Sequence, residues 1–353
     1  GLQIVEARSR SDFRRFVRIP RELYAGMAGF HPPLDFERKQ LLDPRVAPFF
    51  THGEAAHFIA EDPSGRPLGR ISAQFDRLTP EGRRGTGHFG CLDAVDDPAV
   101  VAALIDAARR WHGSRGRHRL EGPFTYSINE EAGLQVEGQD KGAMVLMGWH
   151  PPYLGAHVEA AGLVPVKDLL AYTITADVGA QWTGTRVSRL AKQSRVTIRH
   201  LNMKDLAGEA AVMTELFNAS WKDNWGFIPL ASEELAALLN VIWPILKPTY
   251  AVFLEIEGKP AAFAFAMPNG YELFRGFGGR LLPFNWLRLL FRVFSHRFAS
   301  GRVTLLGVRA DLRDTLLGSS LPIVAMATLI AENPVKADIE MSWILEDNQR
   351  MRR

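Results

Sequence analysis

Cysteine is nearly absent from this chain of 353 residues: Cys91 is the only one, which excludes an intrachain disulfide framework and any cysteine-rich metal site. The amino terminus, GLQIVEARSR, has no apolar signal core, so a reducing cytoplasm is the expected compartment. Charge of neither sign dominates. Against 42 Lys and Arg stand 39 Asp and Glu, a net +3 that lacks the footprint of a nucleic-acid binder. No Gly-x-x-x-x-Gly-Lys-Ser/Thr phosphate loop occurs, and Gly276-Phe277-Gly278-Gly279 is too short for a dinucleotide fingerprint. His-Glu-x-x-His and Gly-x-Ser-x-Gly are also missing. His112 and His118 stand apart from acidic or cysteine partners at ligand spacing, so no metal is expected.

A long uninterrupted apolar run is lacking too. The nearest approach, Leu281 to Phe298, is broken by Asn285, Arg288, Arg292, Ser295 and His296, whose spacing draws one narrow polar stripe along a helix otherwise made of Leu, Phe and Trp. Two arginines and a histidine argue against a spanning segment, which needs ~20 mostly apolar residues. Two readings stand open. Either the helix lies on an anionic membrane surface, arginines near phosphates and Phe291 on an apolar face that binds and admits a lipid substrate, or it is buried between two domains.

What the chain does contain is one supersecondary unit written twice. AAHFIAEDPSGRPLGRISAQFDR (55–77) and YAVFLEIEGKPAAFAFAM (250–267) each place an apolar strand, a Gly-x-Pro turn and a second apolar strand in order. Each is followed by a strand with an internal glycine and then a helix: HFGCLDA before 98–113, VTLLGVRA before 314–331. The repetition implies a duplicated α/β domain. HPPLDFERKQLLDPRVAPFF reads as a proline-punctuated loop, and 166–176 as the strand closing the first half. The boundary is expected near 178–184, ahead of the basic segment 186–195.

The order strand, helices, antiparallel hairpin, strand, helix, strand, helix resembles the GNAT acyl-CoA N-acyltransferase fold, present twice. Val308-Arg309-Ala310-Asp311-Leu312-Arg313-Asp314-Thr315-Leu316-Leu317-Gly318 is similar to the family's strand-to-helix segment, with Arg313 and Gly318 in place and Leu316 where a glycine is usual. In that family the segment holds the CoA pyrophosphate on backbone N–H groups at a helix start, where unpaired donors and the positive dipole end meet. MSWILEDNQRMRR resembles the next strand and helix, Asn348 facing the cofactor arm or capping the helix. Two further strands of a full GNAT sheet are then expected to be missing beyond Arg353. The resemblance implies an α/β (α+β) fold: two GNAT-like domains in tandem, mixed central sheets flanked by helices, divided as 1–178 and 179–353. The first copy has Asp96 and Asp97 at its helix start, where carboxylates would repel pyrophosphate, so it is read as scaffold and the second copy as the acyl-CoA-binding half.

The segments RIPRELYAGMAGFHPPLD, LDPRVAPFFTHGEAAHF, GPFTYSINEEAGLQVEG and FNASWKDNWGFIP are similar to a bacterial tandem-GNAT family that includes the bacterial ceramide synthases. That likeness implies amide formation between an acyl thioester and a primary amine, a sphingoid base favoured, with acyl-CoA as donor. The rival readings are aminoacyl or small-amine transfer, and a non-catalytic CoA- or lipid-binding protein.

Such chemistry needs an acceptor for the amine proton and donors at the oxyanion. By the resemblance, backbone N–H groups of Leu306, Gly307 and Val308 supply the donors, and Arg309, Arg313, Gly318, Ser319 and Asn348 the cofactor contacts. Glu272 is read as a base or as a solvated carboxylate balancing Arg275. The connection from Pro123 to Tyr153 offers Tyr126, Asn129, Glu130, His150 and Tyr153 as catalytic or substrate contacts. Asn218, Trp221 and Trp225 resemble a segment at the substrate mouth, or are packing.

Overall fold

The computed structural model describes residues 1–174, 189, 195–335 and 338–348. The expected boundary at 178–184 and most of the basic segment lie outside these.

The duplication is present strand for strand. The first sheet runs β1 (Gln3–Glu6), β2 (Gly53–Glu61), β3 (Pro67–Asp76), β4 (Thr86–Ala94), β5 (Arg119–Glu121) in that order. The second contains β7 (Val196–His200), β8 (Ala251–Ile256), β9 (Lys259–Pro268), β10 (Gly301–Val308) and β11 (Ile339–Leu345) in the same succession. The fourth and fifth strands of each set are parallel and every other neighbour antiparallel. One strand departs from the expected division. β6 (Leu169–Ile174) adds to the second sheet, antiparallel to β11, rather than closing the first half. The chain accordingly separates into Gly1–Val166 with Phe274–Leu289, and Lys167–Leu273 with Leu290–Arg353.

Local chemistry sets the elements. The helix α1 (Arg10–Leu23) starts on a capping box in which Ser9 Oγ accepts from the Asp12 N–H and Asp12 from the Ser9 N–H. A second helix, α2 (Asp35–Leu42), sits inside the stretch read as a proline-punctuated loop. Asp97 caps α3 (Pro98–Gly113), with proline at its first position. A short α4 (Leu154–Ala160) follows. In the second half come α5 (Leu206–Trp221), capped by Asp205, α6 (Ser232–Val241), a single turn α7 (Tyr271–Phe274), α8 (Asn285–Ser295), and α9 (Leu316–Glu332), capped by Thr315. The second hairpin turns on Glu257 and Gly258, both at positive φ.

Each sheet has its own core. In the first, α3 lays Val100, Val101, Leu104, Ile105 and Ala108 against Ile71, Ala73, Phe89 and Leu92. Phe13, Phe16, Val17 and Ile19 of α1 cluster with Ile59, Leu42 and Phe49. In the second, Leu321, Ala325, Met326, Leu329 and Ile330 of α9 meet Val252, Leu254, Ala262, Val303 and Met341. At roughly 1.5–3 kcal/mol per fully buried large aliphatic side chain, these layers dominate the stability of each unit.

One consequence of the strand pattern positions the candidate sites. β4 pairs with β5 only over Thr86–His88 against Arg119–Glu121, and β10 with β11 only over Gly301–Val303 against Ile339–Met341. Beyond those points β11 leaves β10, whereas β5 ends at Glu121 and the chain stays beside β4 as far as Phe124, whose N–H donates to the Phe89 carbonyl at 2.7 Å. Each unit therefore holds a wedge along the far half of its fourth strand, where backbone groups lack a strand partner on one side.

Candidate functional site

In the first unit the wedge is lined by titratable side chains. β4 is irregular at Cys91, whose φ of +47° sits at the register shift against β3. Burial raises the Cys91 thiol, so it stays protonated. Arg70 on β3 faces Asp93 on β4, with a 2.8 Å bond from Nε to Oδ2, and gives another at 3.0 Å to the Phe16 carbonyl. At the strand end the Ala94 N–H donates to the Tyr24 hydroxyl at 3.0 Å, and the Ala94 carbonyl accepts from Tyr153 at 2.7 Å. Burial, with Asp96 and Asp93 adding to it, pushes the Tyr153 phenol up to about 12, which makes it a fixed donor rather than a titrating acid.

His150 is brought into this region as a buried, neutral imidazole. Desolvation lowers its pKa, against the pull of Asp93 and Glu131. Its Nδ1 accepts the Gln135 N–H at 3.0 Å, so the proton resides on Nε2 and the ring faces onward as a donor. Glu131 accepts from Arg38 at 2.5 Å and from Thr125 at 3.0 Å. Burial acts to raise its carboxyl, but Arg38 and Thr125 outweigh it and the net shift is downward. Glu130 and Asn129 are half-buried in the preceding turn, bonded through their N–H groups to the Ser127 carbonyl and hydroxyl. Tyr126 is differently placed. It sits in the core at φ +64°, its hydroxyl between His57 Nε2 and the Leu42 carbonyl at 2.5 Å each, a packing role rather than an exposed contact.

In the second unit the wedge is closed by α5. The Val308 N–H, expected as an oxyanion donor, goes to Ser220 Oγ at 2.7 Å, and the Leu306 carbonyl accepts from Trp221 Nε1 at 3.1 Å. Trp221 also stacks on Phe217 and meets Trp343 edge-on. Gly307 lies under the crossing of α5, where a Cβ would come within 2.7 Å of the Leu216 carbonyl carbon. Asn218 spends its amide on both backbone groups of Leu230, which makes it a clamp. Trp225 is half-buried in the turn after α5. Nothing in the local sequence announces the Ser220 contact, because serine near a helix end usually bonds its own turn, as Ser220 also does with Leu216.

The start of α9 is the other cluster. Thr315 Oγ1 accepts from the Gly318 N–H at 3.0 Å, Ser319 Oγ turns back to the Leu316 carbonyl, and Leu316 is 76 % exposed. Arg313 pairs with Asp223 at 2.6 Å, and Arg309 with Asp311 at 2.6 Å. Neither α3 nor α9 has a carboxylate in its first turn, and an aspartate precedes each cap, Asp96, paired to His157, and Asp314; the difference is the cap itself, Asp97 for α3 and the neutral Thr315 for α9. Asn348 follows β11 in a turn, its N–H on the Leu345 carbonyl, and the rest of the segment expected to be helical from Glu346 lies outside the described residues.

Glu272, read as a base, is instead saturated. It accepts from His296 Nε2 at 2.7 Å, the Ala299 and Ser300 N–H groups at 2.9 Å each and the Ser300 hydroxyl at 2.6 Å. Burial acts to raise its pKa, but Ser300, the Ala299 N–H and His296 outweigh it and the shift is downward. The geometry is that of a clamp on 296–300. Glu272→Gln should cost about 2–4 kcal/mol in a melt, since charge-assisted bonds to a buried acceptor are lost. A lowered folded pKa gives stability present above the ordinary value of 4.5 and lost as pH falls through the folded one, so the gap between wild type and variant should close in acid. A variant with wild-type stability and abolished turnover would restore the base role.

Among the described residues no group of three or more His, Cys, Asp and Glu is placed to hold a metal ion.

Two mixed sheets, each with one short parallel pair and flanking helices, define a tandem GNAT protein. The backbone is similar to a tandem GNAT protein from the clavulanic acid biosynthesis pathway, 13 % identical, covering 99 % of this chain and 92 % of that one at a TM-score of 0.54. It is also similar to the GCN5-related glucosamine N-acetyltransferase region of a fungal multi-domain GH3 β-N-acetylglucosaminidase, 12 % identical at 0.51, covering 100 % of this chain and 36 % of that one. No family model matches the sequence. Among curated proteins, a bacterial ceramide synthase of Caulobacter vibrioides is 38 % identical over 99 % of this chain and 92 % of its own length. Protein YghO of Escherichia coli is 34 % identical over 97 % and 88 %. The chain belongs to the bacterial ceramide synthase family of N-acyltransferases.

Proposed function

We propose that this chain transfers a long-chain acyl group from acyl-CoA, or a related thioester, to the primary amine of a sphingoid long-chain base. The observation that supports this reading is the full-length relationship to a ceramide synthase, 38 % identical across both units. In the reaction the amine nitrogen attacks the thioester carbonyl, a C–N bond forms, the C–S bond breaks, the amine loses a proton and the thiolate gains one. The second unit is assigned the donor: the Leu316 and Leu317 N–H groups at the open end of α9, behind the neutral cap Thr315 and near Arg313 with its partner Asp223, offer a pyrophosphate site. In the first unit His150, with its proton on Nε2, and Glu130, next to the arginine-bound Glu131, are proposed as polar contacts for an amine. Acyl-CoA is a cytosolic metabolite and the acceptor a lipid, so the reaction is assigned to the cytoplasmic face of a membrane.

The test is mass spectrometry of products after incubation with long-chain acyl-CoA and, separately, sphingoid bases, amino acids and polyamines. An N-acyl sphingoid base is the expected product. Acylated polyamine or amino acid in its place would move the substrate class, and no product from any amine would leave a binding protein.

A further inference from the structure

Helix α8 is inside out. A helix on a protein surface normally turns its apolar face inward and its charges to water. Here Asn285, Arg292 and His296 of the polar stripe point in, while Arg288 and Ser295 stay exposed. Asn285 donates to the Arg280 carbonyl at 2.8 Å, Arg292 to the Leu273 carbonyl at 2.8 Å, and His296, just past the helix end, bonds Glu272. The opposite face is Trp286, Leu287, Leu290, Phe291 and Phe294, all exposed, the last two at 72 % and 79 %, and Leu282 and Phe284 extend it at 75 % and 70 %. Both readings left open by the sequence are thereby revised. The helix is not buried, and Arg292 serves the protein backbone rather than a lipid phosphate.

A contiguous apolar surface of this kind needs an apolar medium against it. Charge identifies which. No Asp or Glu lies between Glu272 and Asp311, a run that holds seven arginines. Of these, Arg288 and Arg297 are exposed and form no ion pair among the described residues. Arg288 lies 5.6 Å over the Phe277 ring, at the margin of the apolar face. Exposed aromatic and aliphatic side chains with exposed arginines on and just past the same helix, free of carboxylate partners among the described residues, match acyl chains under an anionic headgroup layer. At 11 residues the helix reaches about 16 Å, too short to span a bilayer and suited to lying in its plane. Among the described residues no helix is long and apolar enough to cross a membrane.

We propose that α8, with Leu282 and Phe284 ahead of it, is a docking surface for an anionic lipid membrane, its aromatic face among the acyl chains and Arg288 and Arg297 at the phosphates. This builds on the membrane-borne acceptor proposed above, but binding is measured without either substrate, so the two readings fail separately. The full chain is mixed with vesicles of phosphatidylcholine, or of phosphatidylcholine and phosphatidylglycerol two to one, and followed by flotation. Wild type should float with the anionic vesicles, less so as salt rises. Phe291→Ser with Phe294→Ser should weaken partitioning by roughly tenfold or more while the thermal melt stays unchanged, because neither ring is in the core. Leu282→Ser should act in the same direction. Arg288→Glu with Arg297→Glu should remove the preference for anionic vesicles. Wild type that fails to float overturns the proposal, as does a double serine variant that floats normally or that melts early. So does a wild-type dimer, seen in sedimentation, that the serine variant converts to monomer, since the face would then belong to a second copy.

Discussion

Asp93→Ala is expected to destabilise the first unit by about 3–5 kcal/mol, read by chemical denaturation, because it leaves the Arg70 guanidinium buried without its counter-charge. Both side chains are largely withdrawn from water, 7 % and 9 % exposed, and face each other across β3 and β4. Arg70 keeps the Phe16 carbonyl and lies 4.9 Å over the Phe16 ring, but neither replaces a carboxylate. Removing both charges is a different matter. Arg70→Met with Asp93→Leu should recover more than half of the loss, since well-packed apolar residues avoid the desolvation cost of both ions. A single-variant loss below about 1 kcal/mol would show that water reaches the pair, as at exposed bridges. Asp93 also faces Tyr24, Tyr153 and His150 electrostatically, so the same variant reports whether this network only holds β4 or also serves the acceptor. A turnover loss in Asp93→Asn at near-wild-type stability would support the second role.

The duplicated architecture was legible because its signals are local. Alternating apolar residues around Gly65 and Gly258 mark both hairpins, and the capped helices α3 and α9 follow at matching positions. Partner choice was not legible in the same way. LLAYTI reads as a strand in any setting, but its hydrogen bonds go to β11, about 170 residues onward, and nothing in the segment names that edge. The helix α2 was hidden by Pro33 and Pro44 on either side, which read as loop punctuation, although an eight-residue helix fits between them. For α8 the residue pattern shows two faces but not their sense. Which face turns inward is decided by the carbonyls of Leu273, Phe277 and Arg280, groups that every residue carries and no pattern displays. The site residues divide on the same principle. His150 and Tyr153 stand out in the sequence beside a polar cluster in a long connection. Arg70 and Asp93 were missed as charges inside apolar strands, where only their mutual register makes them a pair.

The last expected result concerns the start of α9, where two variants separate packing from ligand. Gly318→Ala should cost about 3 kcal/mol or more, because the added Cβ would lie 1.7 Å from the Leu312 carbonyl oxygen and 2.5 Å from its carbon. Those atoms are backbone and cannot swing aside. The glycine is therefore required by the turn 312–318 itself, and loss of CoA binding in any Gly318 variant would not speak to phosphate contact. Leu316→Asp does. Leu316 is exposed at the first helical position, so a carboxylate there complements the helix dipole and should raise stability by about 0.3–1 kcal/mol. If the Leu316 and Leu317 N–H groups hold the donor's pyrophosphate, the same charge should weaken acyl-CoA binding roughly tenfold or more in calorimetry. Val100, which matches Gly318 in the first copy, is buried in the core and cannot serve as a control; Pro98 matches Leu316, and the exposed Ala99 beside it is the control. Ala99→Asp should leave affinity unchanged, since Asp96 and Asp97 already occupy that helix start. Stability and affinity moving in opposite directions at Leu316 alone is an outcome that misfolding cannot produce. Equal affinity losses at Leu316 and Ala99 would assign the donor to neither helix start, and an unchanged affinity in a stabilised Leu316→Asp would remove α9 from the donor site.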